Sequence, residues 1–207
     1  MRYNGPVCRF CRREGEKLYL KGARCESPKC PITRGQAFPP GVHGPKGKKA
    51  KKSEYGKQLK EKQKAKVIFG MVEKQFKNYY EASTKAAVTG DALMQRLEKR
   101  LDNVIYRAGL ASSRAHARQV VGHGSWKVNG KVVDIPSYQM KVGDTFEMND
   151  KMKKNVMMEE VKKMKIQVPA WLKVDQKNLS GEVLREPGKE NFEKNLSTSM
   201  IIEFYSK

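Results

Sequence analysis

An excess of positive charge limits, more than any other feature, how this chain can fold. It carries 43 Lys and Arg against 22 Asp and Glu, a formal net charge of +21 over 207 residues. A compact body with that much like charge repels itself unless a polyanion supplies the counter-charge. Nucleic acid is the usual polyanion, because cationic side chains release the counterions condensed on its phosphates. The excess is uneven: residues 1–66 hold 19 basic and 5 acidic side chains, residues 67–207 hold 24 and 17. The run Lys46, Lys48, Lys49, Lys51, Lys52 lacks the interspersed acids of a merely solvated face. With 38% hydrophobic residues and a mean hydropathy of −0.74, a core is possible but much of the surface is charged. No apolar run reaches membrane-spanning length, and no basic amphipathic helix shows an aromatic apolar face, so no membrane partner is expected. The start of the chain does not read as a signal peptide, so a reducing compartment, the cytoplasm, is expected.

All four cysteines fall within the first 30 residues. Cys8 and Cys11 form one close pair, Cys25 and Cys30 a second, with a longer loop between them. Each pair can chelate from a single tight turn while the loop closes a tetrahedral four-thiolate cage. The expected occupant is a structural Zn2+, with an iron–sulfur cluster as the alternative, because both use four thiolates. Arg9, Arg12, Arg13 and Arg24 flank the pairs and are expected to keep the thiolates ionised.

The rest of the chain divides by character. Residues 1–40 are the cysteine segment. Residues 41–66 are a basic Gly/Lys-rich arm with few apolar groups, expected to lack order without RNA. From residue 67, Val67, Ile68, Met71, Val72, Gln75, Phe76 and Tyr79 make a helical stripe. In 96–150, Leu97, Leu101, Val104, Ile105 and Ala108 make a second stripe ending at Gly109. A short helix then starts at a Ser112 or Ser113 cap. Trp126, Lys127 and Val128 alternate into the hairpin turn Asn129-Gly130. Beyond 150, Lys153 to Lys165 reads as a Met-rich helix and Met200 to Tyr205 as strand-like. The expected fold class is α+β: a mainly helical domain (67–95 with 151–207) carrying a metal-clipped N-terminal arm, plus a small helix–helix–β-hairpin module (96–150).

Arg96, Arg100, Asn103 and Arg107 recur at four, three and four residues, which predicts one basic stripe opposite the apolar one. Arg114, His116, Arg118 and Gln119 follow on the second helix, which has no acid of its own. Ser113 and its helix N-terminus favour a phosphate; His123, Lys127, Asn129 and Lys131 surround the strand and turn. Guanidiniums, amides and hydroxyls in such numbers suit recognition of folded RNA through its backbone. In the arm, Lys46, Lys48, Lys49, Lys52, Tyr55, Lys57, Gln58, Lys60, Lys62 and Lys64 join this candidate RNA-contacting set.

Three segments, in order, resemble one family. Arg100-Leu101-Asp102-Asn103-Val104-Ile105-Tyr106-Arg107, Ser113 to Gln119 and His123 to Gly130 are similar to the small RNA-binding module named after the fourth small-subunit ribosomal protein of bacteria. Lys52 to Lys64 resembles that family's basic N-terminal signature, and Glu203 to Lys207 its C-terminus. The resemblance covers nearly the whole chain. It implies a structural constituent of the small ribosomal subunit that binds 16S rRNA directly, nucleates assembly and influences translational accuracy. It also implies a cytoplasmic, ribosomal location beside the fifth small-subunit protein, and in some members repression of their own mRNA. A stand-alone RNA-binding factor or an RNA-modifying enzyme carrying the same module is the alternative. Against an enzyme, the three histidines, His43, His116 and His123, form no catalytic constellation, and no phosphate-binding glycine loop is present. No small-molecule substrate is expected.

Overall fold

The computed structural model describes residues 3–45, 53–153 and 167–206. The expected Met-rich helix over 153–165 lies almost wholly outside these residues, as do Lys46, Lys48, Lys49 and Lys52. Among the described residues no helix is long and apolar enough to cross a membrane. The architecture is α+β. The chain forms two compact units, residues 1–90 with 194–207 and residues 91–193. The tail expected to join the helical domain is therefore shared, since 151–193 belong to the second unit.

The first unit is helical: α1 (Cys8–Glu14), α2 (Ala23–Glu26), α3 (Glu54–Ile68), α4 (Glu73–Ser83) and a C-terminal helix. Within the basic arm, expected to lack order without RNA, the described residues from 54 onward form α3. Ser53 Oγ accepts the Gly56 amide and starts α3. Acids then match the helix's lysines: Lys57 meets Glu54 at 2.5 Å, Lys60 meets Glu14 at 2.9 Å, and Lys64 meets Glu16 at 2.5 Å. Gly70 (φ 61) ends the stripe begun at Val67 by turning left-handed between α3 and α4, a conformation costly for a residue with a Cβ.

The strand expected over Met200–Tyr205 is instead a helix, α9 (Thr198–Tyr205), the last of the nine α-helices among the described residues. As a helix it puts Ile201, Phe204 and Tyr205 on one face at i, i+3 and i+4. Ile201 is fully buried. Phe204 faces Tyr55 at 5.6 Å, and Tyr205 stacks on Tyr80 at 4.7 Å. A strand would have split these residues between two faces.

The second unit begins within α5 (Thr89–Glu98) and continues with α6 (Leu101–Arg107) and α7 (Arg114–Gly122). The apolar stripe expected as one helix is interrupted at Lys99 and Arg100. There the Leu101 and Asp102 amides donate to the carbonyls of Tyr138 and Pro136, and Met140 N–H donates to Lys99. Then come β1 (Trp126–Val128), β2 (Lys131–Val132), β3 (Thr145–Met148), α8 (Asp150–Lys153), β4 (Leu172–Asp175) and β5 (Ser180–Val183). They make one antiparallel sheet in the order β2-β1-β3-β5-β4.

The Asn129-Gly130 hairpin forms as expected, with both residues at positive φ (49 and 78). The module is larger than expected, however. Leu172, Leu179, Val183 and Trp171, all from beyond residue 150, pack into the same core as Leu101, Val104, Ile105, Trp126 and Phe146. Removing so much apolar surface from water supplies the main drive for this unit's folding, at about 25 cal/mol per Å².

Candidate nucleic-acid interface

The described candidate residues fall into two groups: side chains held within the fold by ion pairs or hydrogen bonds, and side chains that face solvent. Arg100 is fully buried and its guanidinium grips Asp102 through Nε (3.1 Å) and Nη2 (2.7 Å). Asp102 also accepts from Arg118 Nη1 at 3.1 Å. Asn103 is buried and donates to the Glu98 carboxylate at 2.6 Å. Glu98, itself fully buried, takes Arg107 through Nε (3.0 Å) and Nη2 (2.7 Å). Arg114 donates to Asn103 Oδ1 at 2.8 Å and lies 4.6 Å over the Tyr106 ring. The stripe of Arg96, Arg100, Asn103 and Arg107 is thus not an open cationic face. Only Arg96 is exposed; Arg100 and Arg107 neutralise the buried Asp102 and Glu98, Asn103 hydrogen-bonds to Glu98, and Glu98 reinforces the charge on Arg107 against the opposing effect of burial.

Other candidates serve the fold directly. Ser113 is buried and caps α7 by accepting the His116 amide at 3.2 Å. His116 Nδ1 lies 3.2 Å from Ser112 Oγ, and burial pushes its pKa below the ordinary histidine value. Asn129 accepts the Thr145 amide at 3.0 Å and donates to Asp144 at 2.9 Å, locking the hairpin turn. Gln58 is buried and donates to Glu203 at 2.8 Å. Lys62 is buried, 2.9 Å from Glu73 and 4.5 Å from the Phe204 ring centroid. Lys64 is buried too; Glu16 and Glu61 raise its pKa over the lowering by burial.

What remains exposed divides between the units. In the second unit Arg96, Gln119, His123 and Lys131 face solvent, and Lys127 is half-buried 3.7 Å from Glu147. In the first unit Tyr55 and Lys57 are exposed, as are Arg9 and Arg13, one turn apart on α1, and Arg24 and Lys29. The last four were missed as candidates. Of these, Arg9, Arg13 and Arg24 were assigned to the thiolates because they flank the cysteines.

The thiols themselves are free; Cys11, Cys25 and Cys30 are buried and Cys8 partly so. They are close enough to influence one another. Burial, then the neighbouring thiols, push Cys11 and Cys25 up, against backbone amides at Leu18 and Lys21 that lower them. At Cys30 burial is outweighed by amides of Thr33 and Ile32, and its pKa falls. The cation that lowers Cys25 and Cys30 is Lys17, not one of the arginines. Arg12 is turned to Phe38, 4.8 Å over its ring. Among the described residues no group of three or more His, Cys, Asp or Glu is arranged to hold a metal ion, so the metal-clipped arm expected from the spacing is not supported.

Two family descriptions match the chain: the ribosomal protein S4/S9 N-terminal domain over residues 2–98 and the S4 domain over residues 99–146. The chain is 51% identical to the small ribosomal subunit protein uS4 of Dictyoglomus turgidum, covering 100% of this chain and 99% of that one. It is 50% identical to the protein of that name from Acetivibrio thermocellus and 49% identical to uS4A of Symbiobacterium thermophilum, with the same coverage. With identity near one half along its whole length, the chain belongs to the small ribosomal subunit protein uS4 family.

Proposed function

We propose that this protein is a structural, non-catalytic constituent of the small ribosomal subunit that binds 16S rRNA directly through its exposed cations. The observation that carries the reading is the family match along the entire chain. The charge agrees with it: after the acids are matched within the fold, a large positive excess is left for phosphates. Contact falls to Arg9, Arg13, Arg24, Tyr55 and Lys57 on the first unit and to Arg96, Gln119, His123 and Lys131 on the second. The Lys46–Lys52 run adds to the first. Nucleation of assembly, a place beside the fifth small-subunit protein, an effect on translational accuracy and repression of its own mRNA extend this reading.

The donor set of the N-terminal segment suits a structural Zn2+ on Cys8, Cys11, Cys25 and Cys30. Three of the four thiols are buried, and the Lys21 amide already donates to Cys25 Sγ at 3.3 Å, as amides do to bound thiolates. The ion would cross-link the segment and leave no open position for chemistry.

Sedimentation of a cell lysate tests both parts. The protein is expected with small subunits at low salt, carrying one zinc per chain by mass analysis of that fraction. Free protein at low salt overturns the ribosomal reading; ribosome-bound protein without zinc overturns the metal.

A further inference from the structure

After β5 the second unit's chain runs back over its own helices, and charge does most of the holding. Glu186 meets Lys99 Nζ of the α5–α6 link at 2.9 Å. The Pro187 carbonyl accepts from Gln95 Nε2 on α5 at 3.4 Å. Lys189 Nζ meets Asp91 at 2.8 Å. Glu193 ends the strap on two arginines, 2.5 Å from Arg114 Nη2 and 3.4 Å from Arg107 Nη2. Among residues 184–193 only Pro187 is buried, so little apolar area fastens the strap.

The two arginines under Glu193 are fixed from below. Buried Glu98 holds the Arg107 guanidinium by two bonds. Asn103 and the Tyr106 ring hold that of Arg114. Glu193 therefore places an anion between two pre-set guanidinium forks, the arrangement that best receives a phosphate. The acid beneath does not compete for that position. The acid above does, and its strap is tied by partly exposed ion pairs, which salt and a polyanion both weaken.

We propose that the 184–193 strap is an internal phosphate mimic: Glu193 occupies a two-arginine anion site on Arg107 and Arg114, and RNA displaces it to engage them. This rests on the reading that the protein binds RNA. The strap then sets a threshold on the grip. Non-specific phosphates at low density leave Glu193 in place, whereas a folded RNA that also engages the exposed cations of this unit can lift it. Apparent affinity is the intrinsic affinity multiplied by the fraction of molecules in which the strap is up.

The test is Glu193→Gln in the full chain, with binding to an in vitro transcript of small-subunit rRNA measured across a potassium chloride series. The amide keeps the shape and removes the charge. Binding at low salt is expected to tighten about threefold to tenfold. The slope of log affinity against log salt is expected to steepen by about 0.7–0.9 for each arginine released. Glu190→Gln makes the same change in net charge within the strap, at a side chain 65% exposed and 3.8 Å from Arg185, and is the reference for non-specific charge effects. Folded Glu193→Gln protein that binds no tighter than Glu190→Gln overturns the proposal. Should Glu193→Gln fail to fold, Glu186→Gln at the strap's exposed end is expected to tighten binding in the same direction by a smaller factor. No gain there overturns the proposal as well. Wild-type protein that does not bind the transcript would instead refute the RNA-binding reading itself.

Discussion

Arg96 and Glu98 stand two residues apart on α5 and have opposite fates. Arg96 is exposed. Glu98 is fully buried and bonded to Asn103 and Arg107. Breaking a buried ion pair from one side leaves the other charge stranded, which costs far more than loss of a surface charge. Glu98→Ala is therefore expected to destabilise the second unit by about 3 kcal/mol. Arg96→Ala should change stability by no more than about 0.5 kcal/mol. Urea unfolding followed by tryptophan fluorescence reads this unit alone, because Trp126 and Trp171 both lie in its core. Equal losses in the two variants would refute the buried network. The spacing of the arginines was legible in the sequence, but their exposure was not. Periodicity says which residues share a helix face; what that face meets depends on neighbours far along the chain.

Helix α9 shows the same limit at the scale of an element. Met200-Ile201-Ile202-Glu203-Phe204-Tyr205 has the composition of a strand, and local propensity favours one. Docking on the first unit's helices decides otherwise. Tyr205 donates to Glu73 at 2.7 Å, and Lys62 and Lys66 converge on the same carboxylate at 2.9 and 2.7 Å. Burial alone would raise the Glu73 pKa, but these three donors bring it down from 4.5 to about 2. A carboxylate with a depressed folded-state pKa adds stability at pH values above its unfolded pKa and loses it as pH falls toward the folded one. The first unit is thus expected to lose this contribution between pH 4.5 and about 2. Glu73→Gln should be less stable than wild type at neutral pH, with the difference closing across that window. Unfolding followed by tyrosine near-UV circular dichroism checks this, and a gap that persists at the acid end would contradict it. The Asn129-Gly130 hairpin, by contrast, was legible from two residues, since their tolerance of positive φ is a local property.

For the molecule as a whole, the question is how a net charge of +21 is distributed. Lysines and arginines that pair with acids stabilise the fold; those left at the surface remain available to phosphates. The salt dependence of RNA binding separates the two sets, because each phosphate contact contributes a fixed increment of slope. Lys131→Ala, at an exposed hairpin residue, is expected to reduce the slope by roughly 0.7–0.9 without loss of stability. Arg100→Ala is expected to leave the slope unchanged and lower stability, since its guanidinium serves Asp102. A reduced slope for Arg100→Ala would restore the open basic stripe. The sequence by itself determined the α+β class, the helix–helix–hairpin order and the polyanionic partner, because periodicity, turn chemistry and net charge are local or additive. Only the tertiary structure decided which cations are spent within the fold, that β4 and β5 complete the sheet, and that the C-terminus is a helix. Each of those depends on partners far apart in sequence: 79 residues separate Arg114 from Glu193, and 132 separate Glu73 from Tyr205. No pattern within a helical turn or a strand carries that information.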